Sequence, residues 1–265
     1  MWFDTHVHLN DSVYHDRLEE VIEDAKANGV SRFMVIGWDR LSSERAIEIA
    51  QTYSGVYAAI GFHPSEAGNV LDDDLAWLNA HAKAPKVVAI GEIGLDYYRG
   101  KETMNDQKVL FDAQIEIALA HDLPIAIHMR DATLDVLNTL KRYRTHTLRG
   151  VMHCYSGSAQ SALEFIQLNM CIALGGTVTF HNAKTPREVA EKMDLSHLVL
   201  ETDAPYLAPM PFRGKLNEPK YLPLIADQIA DIKGISRQEL SRVTTNNACR
   251  LLNIAMESTS QYGRI

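Results

Sequence analysis

Short apolar runs alternate with longer amphipathic stretches along the whole chain, and this alternation limits the folds open to it. Eight apolar runs have the length of strands, at residues 2–7, 32–36, 56–61, 86–91, 124–128, 150–153, 171–175 and 198–201. The amphipathic stretches predict helices at residues 16–28, 42–53, 73–82, 104–121, 132–143, 158–169, 186–193, 221–233 and 237–253. Strands that alternate with helices pair in parallel, and eight of them close a barrel. The sequence predicts an α/β fold, a single (β/α)8 TIM barrel.

The domain organisation follows from the length of the chain. A chain of 265 residues has the size of one α/β barrel, so we expect a single domain over residues 1–265. The alternative is an open, doubly wound parallel sheet. Against it, no G-x-G-x-x-G motif follows the first strand, and the chain contains no P-loop.

Polar side chains fall at or just past the predicted C-terminal ends of six strands. They are His6 and His8 on the first strand, His63 on the third, Glu92 on the fourth, His128 on the fifth, His153 on the sixth, and Glu201 with Asp203 on the eighth. Charged groups and imidazoles are costly in a buried parallel strand unless they have partners or a function. The C-terminal ends of barrel strands share one rim, where active sites lie. We therefore expect these residues to converge.

The chemistry of this set predicts a metal centre. His6 and His8 are two residues apart, a spacing that puts both imidazoles on one face of a strand. Imidazoles and carboxylates without a thiolate suit Zn²⁺, Mn²⁺, Fe²⁺ or Mg²⁺. The expected ligands are His6, His8, Glu92, His128, His153 and Asp203. Because this set exceeds the needs of one tetrahedral ion, it favours two divalent metal ions (Mg, Mn or Zn), with Glu92 able to bridge them.

Eight sequence blocks, in this order, resemble the TatD family of metal-dependent deoxyribonucleases, which are amidohydrolase-like metal hydrolases. The blocks are residues 4–8 (DTHVH), 61–64 (GFHP), 91–97 (GEIGLDY), 124–132 (PIAIHMRDA), 153–157 (HCYSG), 200–207 (LETDAPYL), 213–217 (RGKLN) and 245–247 (TNN). The resemblance extends from residue 3 to about residue 253 and leaves the end of the chain without a counterpart.

The resemblance implies a (β/α)8 barrel with a divalent-metal site and a DNA substrate. The family's ligands map onto the same six residues that strand position predicts. Family members are described as Mg²⁺- or Mn²⁺-dependent deoxyribonucleases, several of them 3′–5′ exonucleases on single strands. For this chemistry we expect Asp203, Glu92 and Glu201 to be catalytic, with Asp203 as general base for the attacking water.

Aromatic and cationic residues after the strands are candidates for binding single-stranded DNA. They are His63, Tyr97, Arg130, Phe180 and Arg213. Aromatic rings among cations are typical of base stacking combined with phosphate contact. The alternatives are an amidohydrolase, lactonase or phosphoesterase acting on a small molecule through the same metals, and a binding protein with a vestigial site. The basic loop residues favour a phosphate substrate over a neutral amide.

Charge and cysteine content bear on location and partners. The net charge of −8 gives no overall basic surface for nucleic acid, although two divalent ions would add four positive charges at one place. The three cysteines form no CxxC pair, which favours a reducing, cytoplasmic location. The sequence shows neither a signal-peptide pattern nor an apolar run long enough to span a membrane. The oligomeric state is left open.

Overall fold

The structure is a computed structural model and describes residues 1–256. Its eight strands are β1 (Trp2–Val7), β2 (Val30–Ile36), β3 (Val56–Ile60), β4 (Val87–Asp96), β5 (Ile125–Arg130), β6 (Gly150–Met152), β7 (Met170–Leu174) and β8 (Leu198–Leu200). They form one sheet in chain order, and consecutive strands pair in parallel. The predicted (β/α)8 barrel is confirmed.

Nine α-helices lie within the described residues, each close to a predicted one. They are α1 (Leu18–Ala27), α2 (Arg40–Thr52), α3 (Asp72–His81), α4 (Met104–Ala120), α5 (Thr133–Arg142), α6 (Ala159–Gln167), α7 (Lys184–Lys192), α8 (Leu222–Lys233) and α9 (Arg237–Leu251). Short 3-10 helices span Ser12–Arg17, Pro64–Glu66, Lys101–Thr103, Gly176–Thr179, Leu195–His197 and Pro219–Tyr221. Helix α2 begins two residues before the predicted start, because the Asp39 carboxylate accepts the backbone N–H of Ser42 as an N-cap.

The end of β4 was predicted wrongly, at residue 91. The strand continues to Asp96, with a register shift against β5 between Ile90 and Ile93, so Glu92 lies inside the strand. Gly91 was interpreted as the end of the strand. Gly91 instead allows β4 and β5 to approach each other closely, since a Cβ at this position would lie 2.6 Å from the Cβ of Ala126 on β5. The eighth strand ends earlier than predicted, at Leu200.

Two apolar clusters pack against the sheet, one on each of its faces. The larger cluster fills the space between strands and helices. The barrel interior holds a second, separate cluster in which small side chains predominate, with Phe3, Met34 and Ile36 as the larger members that the strands contribute. Ala248, Leu251 and Leu252 belong to this interior cluster, so the end of α9 closes the barrel at its N-terminal side. The opposite end is thereby left for the polar residues.

The barrel closes where β8 and the loop after it meet β1. The Asp4 carboxylate accepts the backbone N–H of Thr202 (2.9 Å) and the Thr202 hydroxyl (2.5 Å). The Thr5 hydroxyl donates to the Leu200 carbonyl oxygen at 2.9 Å. The backbone N–H of Asp203 donates to the His6 carbonyl oxygen, also at 2.9 Å. We call this set of contacts the β1–β8 seam.

The single-domain prediction covers residues 1–265, of which residues 257–265 lie outside the described part. Among residues 1–256, none of the helices has the length and apolar character needed to cross a bilayer.

Gly94 provides a test of the continued β4 strand. It has φ +140°, and a Cβ there would overlap the backbone carbonyl oxygen of His128 on β5. We expect Gly94→Ala to lower the free energy of unfolding by about 2–4 kcal/mol, because strain and overpacking add. The exposed Gly68 has open space around its Cβ position, so Gly68→Ala should change it by less than about 1 kcal/mol. Urea denaturation in EDTA measures both, and equal losses would contradict this account.

Thr202→Val tests the β1–β8 seam. The substitution keeps the shape of the side chain but removes the hydroxyl that donates to the buried Asp4 carboxylate. We expect the free energy of unfolding to fall by about 1–3 kcal/mol, since a buried acceptor loses a donor. Thr52→Val is the matched control, because its hydroxyl bonds the Glu48 carbonyl on the exposed end of α2, where water replaces it. The seam is unimportant if both variants are equally stable.

Candidate metal centre

The six side chains predicted as metal ligands converge at the C-terminal end of the barrel. His6 lies in β1, Glu92 in β4 and His128 in β5, whereas His8 follows β1, His153 follows β6 and Asp203 lies in the loop after β8. Five of them line a cavity of about 420 Å³. The sixth, His6, is buried, and its ring lies against that of His153, with 3.3 Å between the centroids.

One group of possible donors joins β1 to the loop after β8. His6, His8 and Asp203 each offer one ligand atom, and these atoms lie within 4.8 Å of one another. Asp203 Oδ1 is 3.6 Å from His8 Nε2 and 3.9 Å from His6 Nε2. Asp203 has φ +57°, so its carboxylate reaches this group from a turn and not from a continued strand. We call these three residues the first donor group.

A second donor group comprises His63, Glu92 and His128, again with one ligand atom each within 4.8 Å. The Glu92 Oε1 atom is 2.7 Å from His128 Nδ1 and 3.9 Å from His63 Nε2. The other oxygen, Oε2, lies 3.5 Å from His6 Nε2 in the first group. The Glu92 carboxylate therefore lies between the two groups. His63, which the sequence suggests as a substrate contact, is among the donors of the second.

Glu201 is fully buried behind His153. Its Oε2 accepts the His153 Nδ1–H at 3.0 Å, and its Oε1 accepts the backbone N–H of Cys154 at 2.6 Å. These two bonds fix the imidazole so that its Nε2 faces Asp203 Oδ1 at 3.6 Å. Glu201 thus acts on the centre by orienting His153, as a carboxylate behind a metal-binding histidine commonly does.

Asp96 belongs to the site, although the sequence pattern did not predict it. Its Oδ2 lies 3.1 Å from His128 Nε2, and its Oδ1 accepts the backbone N–H groups of Tyr98 and Arg99. A signal was present, since Glu92, Gly94 and Asp96 alternate on one face of a strand. It was missed because the strand was expected to end at residue 91.

Groups of opposite charge lie close together in the site. Burial would raise the pKa of Glu92, but hydrogen bonding with His128 and the nearby His6 hold it well below its usual range. Burial would lower the pKa of His153, but the charges of Glu201 and Asp203 outweigh it and raise that pKa to about 10. In the metal-free protein, protons on imidazoles therefore neutralise ionised carboxylates.

The residues present fit a divalent cation. His6 is buried, and neither of its ring nitrogens has a hydrogen-bond partner within residues 1–256. Unpaired buried polar atoms are rare in proteins and indicate a missing partner such as an ion. Imidazole nitrogens and carboxylate oxygens are donors for Zn²⁺ and Mn²⁺, and with more water for Mg²⁺. Within the described chain, these donors gather at this one rim.

The five residues suggested as substrate contacts are not all brought together. His63 and Arg130 line the cavity. Tyr97 is buried, and its hydroxyl donates to Asp135 at 2.7 Å, so it packs behind the rim. Phe180 and Arg213 line a separate depression of about 180 Å³, where the Arg213 guanidinium stacks over the Phe180 ring at 4.4 Å.

Comparison with known proteins agrees with this geometry. The family described as TatD related DNase matches residues 3–253. The Bacillus subtilis protein described as the uncharacterized metal-dependent hydrolase YabD is 48% identical over 254 residues, covering 96% of this chain and 100% of its own. The 3′–5′ ssDNA/RNA exonuclease TatD of Cronobacter turicensis is 35% identical over 255 residues, covering 94% and 97% of the two chains.

A solved structure agrees as well. The TatD homologue YjjV from Escherichia coli K12 superposes with a TM-score of 0.91 at 32% identity, covering 96% of this chain and 98% of its own. The chain belongs to the TatD family of metal-dependent hydrolases.

Proposed function

We propose that this chain is a deoxyribonuclease that hydrolyses phosphodiester bonds of single-stranded DNA from the 3′ end with two divalent metal ions. The observation that carries the proposal is one cavity in which both donor groups open toward the exposed Arg99 and Arg130. Such a cavity combines a centre for activating water with cations for neighbouring phosphates. The name of the TatD relative, a 3′–5′ ssDNA/RNA exonuclease, supports the same reaction.

The position of Glu92 supports the proposal of two metal ions. Its two oxygens face different donor groups, at 3.5 Å from His6 and 2.7 Å from His128. A carboxylate placed in this way is suited to bridge two ions, as in two-metal hydrolases. His6, His8 and Asp203 would hold one ion and His128 the other, and Glu92 would contribute to both. His153, whose Nε2 is 3.8 Å from Glu92 Oε1 and 3.6 Å from Asp203 Oδ1, completes the ligand set.

The chain's own residues have distinct roles in this reaction. Bound divalent ions would supply the positive charge that lowers the pKa of water and neutralises the phosphate. Asp203 is the general base for the attacking water in this proposal; burial would raise its pKa, but the charge of His153 and the hydrogen bond with His8 hold that pKa below the usual range, so the carboxylate is ionised. Glu201 keeps the His153 ring in place through the 3.0 Å bond to Nδ1. Arg130 holds a phosphate of the strand at the rim.

We also propose a location and a domain organisation for the chain. Cys154 and Cys171 are free thiols in the structure, which supports a reducing, cytoplasmic location. We further propose that the whole chain works as a single barrel domain, because the two donor groups need residues from both ends of the sequence.

Glu92→Gln tests the proposed bridge, since it keeps the shape of the side chain and removes its charge. We expect elemental analysis to find less Mn²⁺ per chain, and activity to fall by about 100-fold or more. The rise in Tm that saturating Mn²⁺ gives the parent should shrink, because stabilisation by a ligand depends on its affinity. Glu66→Gln, on the neighbouring 3-10 helix and outside both donor groups, should behave as the parent does. Unchanged metal content with unchanged activity in Glu92→Gln would rule out the bridge.

The substrate class is tested by a panel of single-stranded DNA, amides, lactones and small phosphate esters, with Mn²⁺ and with Mg²⁺. We expect single-stranded DNA to be shortened from its 3′ end. Intact DNA combined with rapid turnover of an amide or lactone would replace this proposal with a small-molecule hydrolase.

Arg130→Ala tests phosphate recognition at the rim. We expect a higher KM for oligonucleotides, with little change for a small neutral ester. The slope of log Kd against log salt should decrease by about 0.7, the value for one phosphate contact on a single strand. Arg45→Ala, on the outer face of α2, is the control and should leave both quantities unchanged. An unaltered salt slope in Arg130→Ala would mean that this residue does not bind phosphate.

A further inference from the structure

One side of the metal-centre cavity is aromatic, and neither the ligand set nor the proposed phosphate contacts explain it. Trp38, just after β2, and Tyr206 and Leu207, after β8, line this side. The rings of Trp38 and Tyr206 lie 5.3 Å and 5.8 Å from the ring of His8, measured between centroids. Each ring is inclined by 71° to the imidazole. Both aromatic residues therefore border the first donor group.

Hydrogen bonds fix the backbone of both aromatic residues. The backbone N–H of Trp38 donates to the Ser42 hydroxyl at 2.9 Å, and its carbonyl oxygen accepts the backbone N–H of His63 at 2.8 Å. The Tyr206 carbonyl oxygen accepts the Asn217 side-chain amide at 2.6 Å. A ligand that binds here therefore has to order the side-chain torsions of these residues and not their backbone.

Exposure of these side chains is unusual for apolar groups. Tyr206 is 54% exposed and Leu207 is 39% exposed. Apart from Trp38, the tryptophans of the chain, Trp2 and Trp77, are buried. Apolar surface exposed inside a polar concave site indicates a ligand that covers it.

The part of the same cavity that comes from β5 and from the turn after β4 is cationic. Arg130 lies in β5 and Arg99 in that turn, and the Arg130 guanidinium stacks on the Tyr98 ring at 3.8 Å. A ligand that spans the cavity therefore meets an aromatic side, the donor groups and then positive charge. A nucleotide presents a flat base and an anionic phosphate in a comparable order, and a cavity of about 420 Å³ has the size of a small-ligand site.

We propose that Trp38 and Tyr206 bind the nucleobase of the nucleotide at the cleaved bond, while Arg99 and Arg130 bind the phosphate on the other side of the centre. This inference rests on the proposed nuclease function and specifies its substrate contacts. Because every base has a π face, the aromatic site accepts all four bases. Cleavage rates on the four homopolymers should therefore be similar.

The experiment compares two ligands that differ only in the base. Thymidine 5′-monophosphate and 2-deoxyribose 5-phosphate are titrated into the Mn²⁺-loaded protein by calorimetry. The parent should bind the nucleotide about tenfold more tightly, the contribution expected of one stacked base. Trp38→Ala and Tyr206→Ala should each lose most of that preference, and Trp38→Phe should keep most of it. Trp77→Phe, a buried tryptophan on α3, should match the parent.

Tryptophan fluorescence gives a second readout that does not depend on turnover. Because Trp2 and Trp77 are buried, quenching by a ligand in the cavity reports on Trp38. The nucleotide should quench the emission of the parent, and deoxyribose phosphate should not. Trp38→Phe should lose this quenching while keeping its affinity for the nucleotide.

The outcomes separate this inference from the proposed function. Equal affinity of the parent for both ligands, or an unchanged preference in Trp38→Ala and Tyr206→Ala, overturns the base site even if DNA is cleaved. A base preference that both substitutions abolish supports the site even if single-stranded DNA stays intact, in which case only the exonuclease proposal fails. Trp38→Phe covers the case in which an alanine variant does not fold.

Discussion

The contact between the Asp4 carboxylate and Thr202 is the interaction on which the metal centre depends. Asp4 is fully buried, and burial raises its pKa to about 7 against the hydrogen bonds from Thr202. Those bonds join the first strand to the segment after the last one, close to the point where the backbone N–H of Asp203 reaches the His6 carbonyl oxygen. The distance between the β1 histidines and Asp203 is thereby set inside the barrel and not by the loops above it.

The order of strands in the barrel divides the rim into two sectors. The sector of β8, β1 and β2 carries the first donor group together with the aromatic side chains Trp38 and Tyr206. The sector of β4 and β5 carries His128 and the two arginines. Glu92, which the continued β4 strand carries into the cavity, lies between the sectors. Neighbouring strands form each sector, so the order of the strands determines which part of the cavity carries aromatic side chains and which part carries cations.

The sequence predicted what depends on local pattern and missed what depends on tertiary approach. The eight strands and the paired histidines of β1 follow from periodicity and from the cost of burying imidazoles. The continuation of β4 could not be predicted in this way. Gly91 allows two strands to approach closely, but in the local pattern it looks the same as a glycine that ends a strand, and so Asp96 was missed. Trp38 resembles any aromatic residue at the end of an apolar strand. Phe180 and Arg213 follow a strand as a rim residue would, but their loops fold together into a separate depression.

The charge of the chain, −8, does not exclude a polyanionic substrate, because the relevant charge is local. Without cations the cavity holds the carboxylates of Glu92, Asp96 and Asp203, which protons on neighbouring imidazoles neutralise. Two divalent ions, as proposed, would replace those protons with four positive charges at the same point, where a phosphate could bind them. Affinity for a strand would then depend on metal loading, and long-range attraction would stay weak because the outer surface is acidic overall. If the proposed nuclease function holds, such a cavity would bind DNA where the metal ions can cut it, and the rim arginines and aromatic rings would need only to position the strand.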